Sequence, residues 1–180
     1  MKRMLLAVLL LSACREEAVL PDPVALTPEA VGHYCQMNLL EHPGPKAQVH
    51  LKGIEAPLFF SQVRDAIAYQ RMPEQAAEIA AVYVNDVGTA PSWDRAGQAG
   101  WVAAEAAFYV VGSDRSGGMG APEFVPFADR SEADRFAAKH GGRVAELASV
   151  GDAEVLAPVE VDAGSEADFA DSLRRLSQKE

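Results

Sequence analysis

Cysteine is nearly absent from this chain, with two residues in 180, at positions 14 and 35. That scarcity excludes a disulfide-stapled scaffold, and it serves structural zinc poorly, because such sites draw four ligands from several cysteines and histidines. Basic residues are also scarce. Lys and Arg number 16 against 26 Asp and Glu, a formal net charge of −10, and this acidity excludes a nucleic-acid partner, which would require a basic face. No acidic loop has the spacing of a calcium or magnesium site. Long apolar runs are missing apart from Met4 to Leu11, which is too short to span a bilayer as a stable helix.

That short run has a context. The N-terminus reads MKRMLLAVLLLSAC, with a basic head at Lys2 and Arg3, a greasy core, and small residues directly before Cys14. These are the parts of a secretory signal. The cysteine at the cut site is similar to a bacterial lipoprotein box, which implies cleavage before Cys14 and lipid on its sulfur. Residues 1–13 are thus an expected signal peptide, and lipid is the only membrane attachment. Arg15 follows the cysteine instead of Asp, which by the lipoprotein sorting pattern leaves outer-membrane delivery open. The expected location is lipid-anchored and periplasm-facing, at the outer rather than the inner membrane. Loss of Lys2 and Arg3 takes the net charge from −10 to −12.

Cys35 is then left without a partner in an oxidising compartment. A lone thiol in an exported protein is buried, paired between chains, or held by a metal. Burial is the ordinary outcome, but the neighbours His33, Gln36, Asn38, Glu41 and His42 make the segment polar.

Residues 14–32, rich in Pro, Glu and Ala, read as an unstructured tether. Strands are expected at 47–53, 57–60, 80–86, 100–112 (a strand or a hairpin), 123–127 and 143–147. Helices are expected after Ser61 and after Ser131, each serine as N-cap, and a further helical piece from Pro73 to Ile79. Residues 159–180 are acidic and small, an expected tail with a weak helix near 168–176. Phe60, Ala66 and Tyr69 repeat the intervals of Phe127, Ala133 and Phe136. This predicts an α+β fold of two tandem, similar ββαβ units packed together, at 33–98 and 99–158, since each alone is too small for a large core.

A second sulfur stands out. Met119 lies in GSDRSGGMGAPE, residues 112–123, between Gly118 and Gly120. A phosphate-cradling loop is the rival idea, but no Lys-Ser/Thr follows and no helix starts there. Thiolate and thioether are soft donors that favour Cu(I). Two methionines and one thiolate would make a neutral Cu(I) site. In an extended segment, residues two apart project to the same side, so Cys35 and Met37 suit one ion in a strand or loop. In a helix they would point about 200 degrees apart.

The strings CQM at 35–37, HPGPKAQVHLKG at 42–53, PLFFSQVRDAIAY at 57–69, AVYVNDVG at 81–88, YVVGSDRSGGMGAPEFVPF at 109–127 and FAAKHGGRV at 136–144 resemble the NosL lipoproteins. That resemblance implies a Cu(I) chaperone, not an enzyme, accessory to maturation of nitrous oxide reductase. It implies work beside an ABC-type membrane complex with a periplasmic subunit, and a fold of two ββαβ units related to part of alkylmercury lyase. It assigns Cys35, Met37 and Met119 as copper ligands, with His42 or else His33 completing the set. Gln36 stands where relatives are expected to carry Gly. His50 and His140 are not assigned, and a solvated side chain is the ordinary alternative for each histidine. Two rival functions are a Cys35-nucleophile enzyme, which requires an oriented base, and a metal-free docking lipoprotein.

Overall fold

The structure, a computed structural model, describes residues 20–73 and 75–159, together with Asp171, Arg174 and Arg175. The expected signal peptide, Cys14 and residues 15–19 lie outside the described residues, as does most of the acidic tail; the three described tail residues are helical. No helix among the described residues is long and apolar enough to cross a membrane.

Seven strands form two antiparallel sheets. The first contains β1 (Ala47–Leu51), β2 (Leu58–Phe60), β3 (Ile79–Asn85) and β4 (Trp101–Ala103) in the order β2-β1-β3-β4. The second contains β5 (Phe108–Val111), β6 (Val125–Phe127) and β7 (Arg143–Glu146) in the order β6-β5-β7. In each sheet the first strand lies centrally, pairs with the second, and pairs with a third that follows a helix: α1 (Val63–Arg71) or α2 (Arg130–His140). The α+β fold of similar ββαβ units is therefore observed. The repeated aromatics occupy equivalent places, with Phe60 against Tyr69 at 5.5 Å and Phe127 against Phe136 at 5.2 Å between ring centroids. Ala66 and Ala133 are fully buried beneath them.

Stretch 100–112 is two strands in different sheets. β4 adds to the first sheet through Tyr83–Ala103 and Asn85–Trp101 pairing, so the expected division between 98 and 99 falls before the first sheet ends. A 3-10 turn at Ala104–Ala106 then carries the chain across. The two units share a core: Val49, Phe60, Ile67 and Val84 cluster with Tyr109, Val111, Phe124 and Leu147. Tyr109 is fully buried and donates its hydroxyl to Ala104 O at 2.7 Å, and burial pushes its pKa well above the usual phenol range. Asp86 adds a polar link, accepting from Gly88 N and, in the second unit, from Ala128 N at 3.0 Å.

Four expectations are corrected. Ser61 does not cap α1. Gln62 holds the N-cap position without a side-chain cap bond, and the distant Glu123 accepts from Val63 N at 3.2 Å and Arg64 N at 3.0 Å. Ser131 does not cap α2 either; Asp129 does, accepting from the amides of Ser131 and Glu132. Its bonds to Ser131 hold its carboxyl below the usual carboxylate range. No helix follows Pro73 among the described residues. Met72, restricted by the proline after it, is extended, and Gln75 folds its amide back on Tyr69 O and Gln70 O.

Finally, the tether reading fails for residues 20–32. Gln48 turns its amide away from the core and pairs with the backbone of Val24, accepting from Val24 N at 2.8 Å and donating to Val24 O at 3.0 Å. Tyr83 donates its hydroxyl to Pro21 O at 2.7 Å. A proline-rich segment without secondary structure of its own is thus strapped across the sheet, and all five residues of β1 are buried.

Candidate metal centre

Cys35 sits in a tight loop anchored on both sides. Leu39 is fully buried and bonds through its amide to Ala30 O at 3.0 Å, Asn38 caps the 3-10 turn Leu39–Glu41, and Val31 pairs with Asn38. Between these anchors the chain turns at 33–35, with Gln36 N bonded to Gly32 O at 2.8 Å. Gln36 has φ +54, the only described non-glycine residue in the left-handed region, a conformation that glycine adopts without strain. Its amide nitrogen reaches back to His33 O at 2.7 Å. Gly32 makes room for the thiol, since a Cβ there would lie 2.5 Å from Cys35 Sγ.

The half-buried thiol donates to Ser61 Oγ at 3.7 Å. A hydroxyl is no general base, so this contact gives no support to a nucleophilic Cys35. The next residue, Gln62, holds the glycine-rich loop: its Oε1 accepts from Met119 N at 3.0 Å and Ala121 N at 3.3 Å. Its Nε2 donates to Asp65 Oδ2 at 3.1 Å, which fixes the orientation of the amide. Burial raises the Asp65 carboxyl, against this bond. Gly118 fits between the His42 and Ser61 segments. A Cβ there would lie 2.9 Å from both His42 Cβ and Ser61 O.

Cys35 and the Met119 loop are therefore held by adjacent residues, Ser61 and Gln62. Met37 and Met119 are 39% and 44% exposed, so their thioethers are open to an incoming group. His42 is half-buried against the Met119 loop. His33 lies in an aromatic cluster, with ring centroids 5.2 Å from Tyr34 and 5.6 Å from both Phe60 and Tyr69. The remaining histidines are not solvated. His50 is 3% exposed and shares 2.8 Å with Gln48 Oε1; since that oxygen only accepts, Nε2 carries the hydrogen. His140 meets Asp114 at 3.0 Å and packs on Phe136.

Two buried charges behind the site escaped the sequence reading. Lys46 is fully buried, and its ammonium donates to Pro43 O at 2.8 Å, Gly44 O at 2.9 Å and Ser61 O at 3.4 Å. Glu123 is also buried and accepts from Val63, Arg64 and Phe124 amides. Burial moves both toward neutrality. Lys46 falls to about 8, pulled back by the charges of Glu123 and Cys35; Glu123 rises to about 8 against its three amide donors. The available signal was weak: a lysine opening an apolar strand, and a glutamate between a glycine loop and a strand.

Among the described residues no three His, Cys, Asp or Glu side chains converge on a metal position. Such a cluster would suit zinc or a hard cation. A cleft of about 420 Å³ beside α2, lined by Trp93, Arg115 and Phe136, contains none of the sulfur residues.

The family model described as NosL matches residues 23–155. This chain belongs to the NosL family. A "Copper-binding lipoprotein NosL" of Achromobacter cycloclastes is 59% identical over 172 residues, covering 94% of this chain and 89% of that protein. A protein of the same description from Stutzerimonas stutzeri is 34% identical over 147 residues, covering 78% and 75%. The crystal structure of the copper chaperone NosL from Shewanella denitrificans matches with TM-score 0.68 and 28% identity, over 73% of this chain and 97% of that one. These NosL relatives are described as a copper-binding lipoprotein and a copper chaperone, which agrees with the expectation of a non-enzyme.

Proposed function

We propose that this protein is a lipid-anchored, periplasm-facing copper chaperone. Cys35, Met37 and Met119 bind Cu(I), His42 is the first candidate to complete the set, and His33 the second. The observation that supports this reading is that the Cys35 thiol bonds to Ser61 and the Met119 backbone bonds to the next residue, Gln62. Soft donors suit a monovalent soft ion, and the descriptions of the NosL relatives support copper as cargo. The function is transfer, not catalysis. An open, low-coordinate site exchanges ligands with a partner's sulfur or nitrogen groups, while a fully caged ion is released slowly.

The acceptor in this reading is nitrous oxide reductase during assembly of its copper centres, beside an ABC-type complex with a periplasmic subunit. Lipid on Cys14 holds the chaperone near both, raising effective concentration without a new contact. Copper titration of the full chain in detergent against a chromophoric Cu(I) chelator tests the site. A single Cu(I) per chain is expected, lost in Cys35→Ser and weakened in Met119→Ala. Unchanged binding in Cys35→Ser rejects the site. Reductase purified from a strain without this protein, with each copper centre assayed separately, tests the destination; full copper loading rejects it.

A further inference from the structure

The buried ammonium of Lys46 has no part in the ligand set, yet it is placed against it. It shares Ser61 with the thiol: the carbonyl oxygen accepts from Lys46 Nζ at 3.4 Å and the hydroxyl from Cys35 Sγ at 3.7 Å. The dimensions of one serine confine Nζ to within roughly 12 Å of the sulfur. The other two bonds of Nζ go to Pro43 O and Gly44 O, directly after His42. Three carbonyl acceptors require three N–H donors, which a neutral amine lacks. The lysine stem is enclosed as well, since a Cβ on Gly97 would lie 3.0 Å from Lys46 Cγ. The charge is therefore fixed in place and shielded from solvent. Glu123 faces it but does not cancel it at neutral pH, because burial keeps that carboxyl protonated up to about 8.

Resting on the copper-site reading above, we propose that Lys46 is a charge filter that makes the sulfur site select monovalent over divalent soft ions. Once a metal has displaced the Cys35 proton, the thiolate contributes −1, the thioethers nothing, and Lys46 +1, so the donor set with the lysine is neutral. A monovalent ion leaves it at +1, and a divalent ion at +2 in a poorly solvated place. At roughly 10 Å and an effective dielectric near 20, one fixed charge changes affinity by about tenfold for each unit of charge on the ion. Donor softness alone does not give this discrimination, because thiophilic divalent ions accept the same sulfurs.

The test uses Ag(I) and Cd(II), both thiophilic and redox-inert, on the full chain in detergent, with thiolate-to-metal absorbance as readout. Lys46→Met should shift the Cd(II)-to-Ag(I) affinity ratio about tenfold toward Cd(II), and Lys46→Arg should keep the wild-type ratio. A purely structural lysine would weaken both ions together, so an unchanged ratio in folded Lys46→Met overturns the proposal. Should that variant not fold, wild type is compared with a synthetic peptide of residues 33–40, which carries the thiolate and one thioether without the lysine. A lower ratio in the protein supports the filter, and an equal ratio overturns it. Silver retained in Cys35→Ser would mean instead that the sulfur site itself is wrong.

Discussion

Gln36 shows how one residue reconciles two demands. The loop requires a left-handed turn between Cys35 and Met37, which costs a non-glycine residue about 1 kcal/mol. Its side chain offsets that cost by donating to His33 O and Gly32 O. Gln36→Ala keeps the strained backbone and loses both bonds, so it should lower stability by about 1 kcal/mol. Gln36→Gly loses the bonds and also the strain, and should fall within about half a kcal/mol of wild type. Urea unfolding of the three proteins checks the order; an alanine variant as stable as wild type would remove the role given to the amide. At the same scale, Lys46, Gln62 and Glu123 show what the sequence concealed. Each reaches at least one backbone group distant in sequence, Lys46 to Ser61, Gln62 to Met119 and Glu123 to Val63, and no local pattern records such a partner. Cys35, Met37 and Met119 stood out in the sequence because soft sulfur is rare here, and the family resemblance singles out the same three residues.

Elements were legible where periodicity decided them. Val63, Ala66 and Ile67 recur on one helical stripe and are all fully buried, and the alternation of β1 predicted its two faces. Capping was not legible: Ser61 and Ser131 have the right residue type, but Glu123 and Asp129 have the right position. The N-terminal strap was missed for a related reason. Composition describes residues 20–24 as unstructured, and what orders them is Gln48, a polar residue inside a buried strand. Gln48→Leu would keep β1 apolar while leaving Val24 N–H, Val24 C=O and His50 Nε2 without their partners. The expected loss is about 1–3 kcal/mol, with faster amide exchange at Val24. Protection at Val24 equal to wild type would show that the strap is held by something else.

The whole molecule unfolds as one body if its two units share one core, as the clustering of first-sheet residues with Tyr109, Phe124 and Leu147 requires. Buried ionisable groups then tune a single transition, and each acts in its own pH window. His50 is lowered by burial from 6.5, so its stability contribution is present above 6.5 and lost as pH falls below it. Glu123 is raised from 4.5 to about 8, so its contribution is present below 4.5 and lost as pH rises toward 8. Lys46 is lowered from 10.5 to about 8, so stability returns as pH rises from 8 to 10.5. From 6.5 upward Glu123 acts first, so wild type should lose stability there, and toward 8 the gain from Lys46 offsets that loss. Glu123→Gln, close in shape and without a titrating proton, should lose that decline and keep only the Lys46 rise toward 8, while His50→Gln should keep the decline and abolish the loss below 6.5. Urea midpoints at pH 5, 6.5 and 8, read by tryptophan fluorescence and far-ultraviolet dichroism together, separate these cases. Coincident curves with a Glu123-dependent slope would join the buried pair, the Cys35 and Met119 loops and the shared core in one cooperative unit. Divergent curves would mean that the two ββαβ units unfold separately despite their common core.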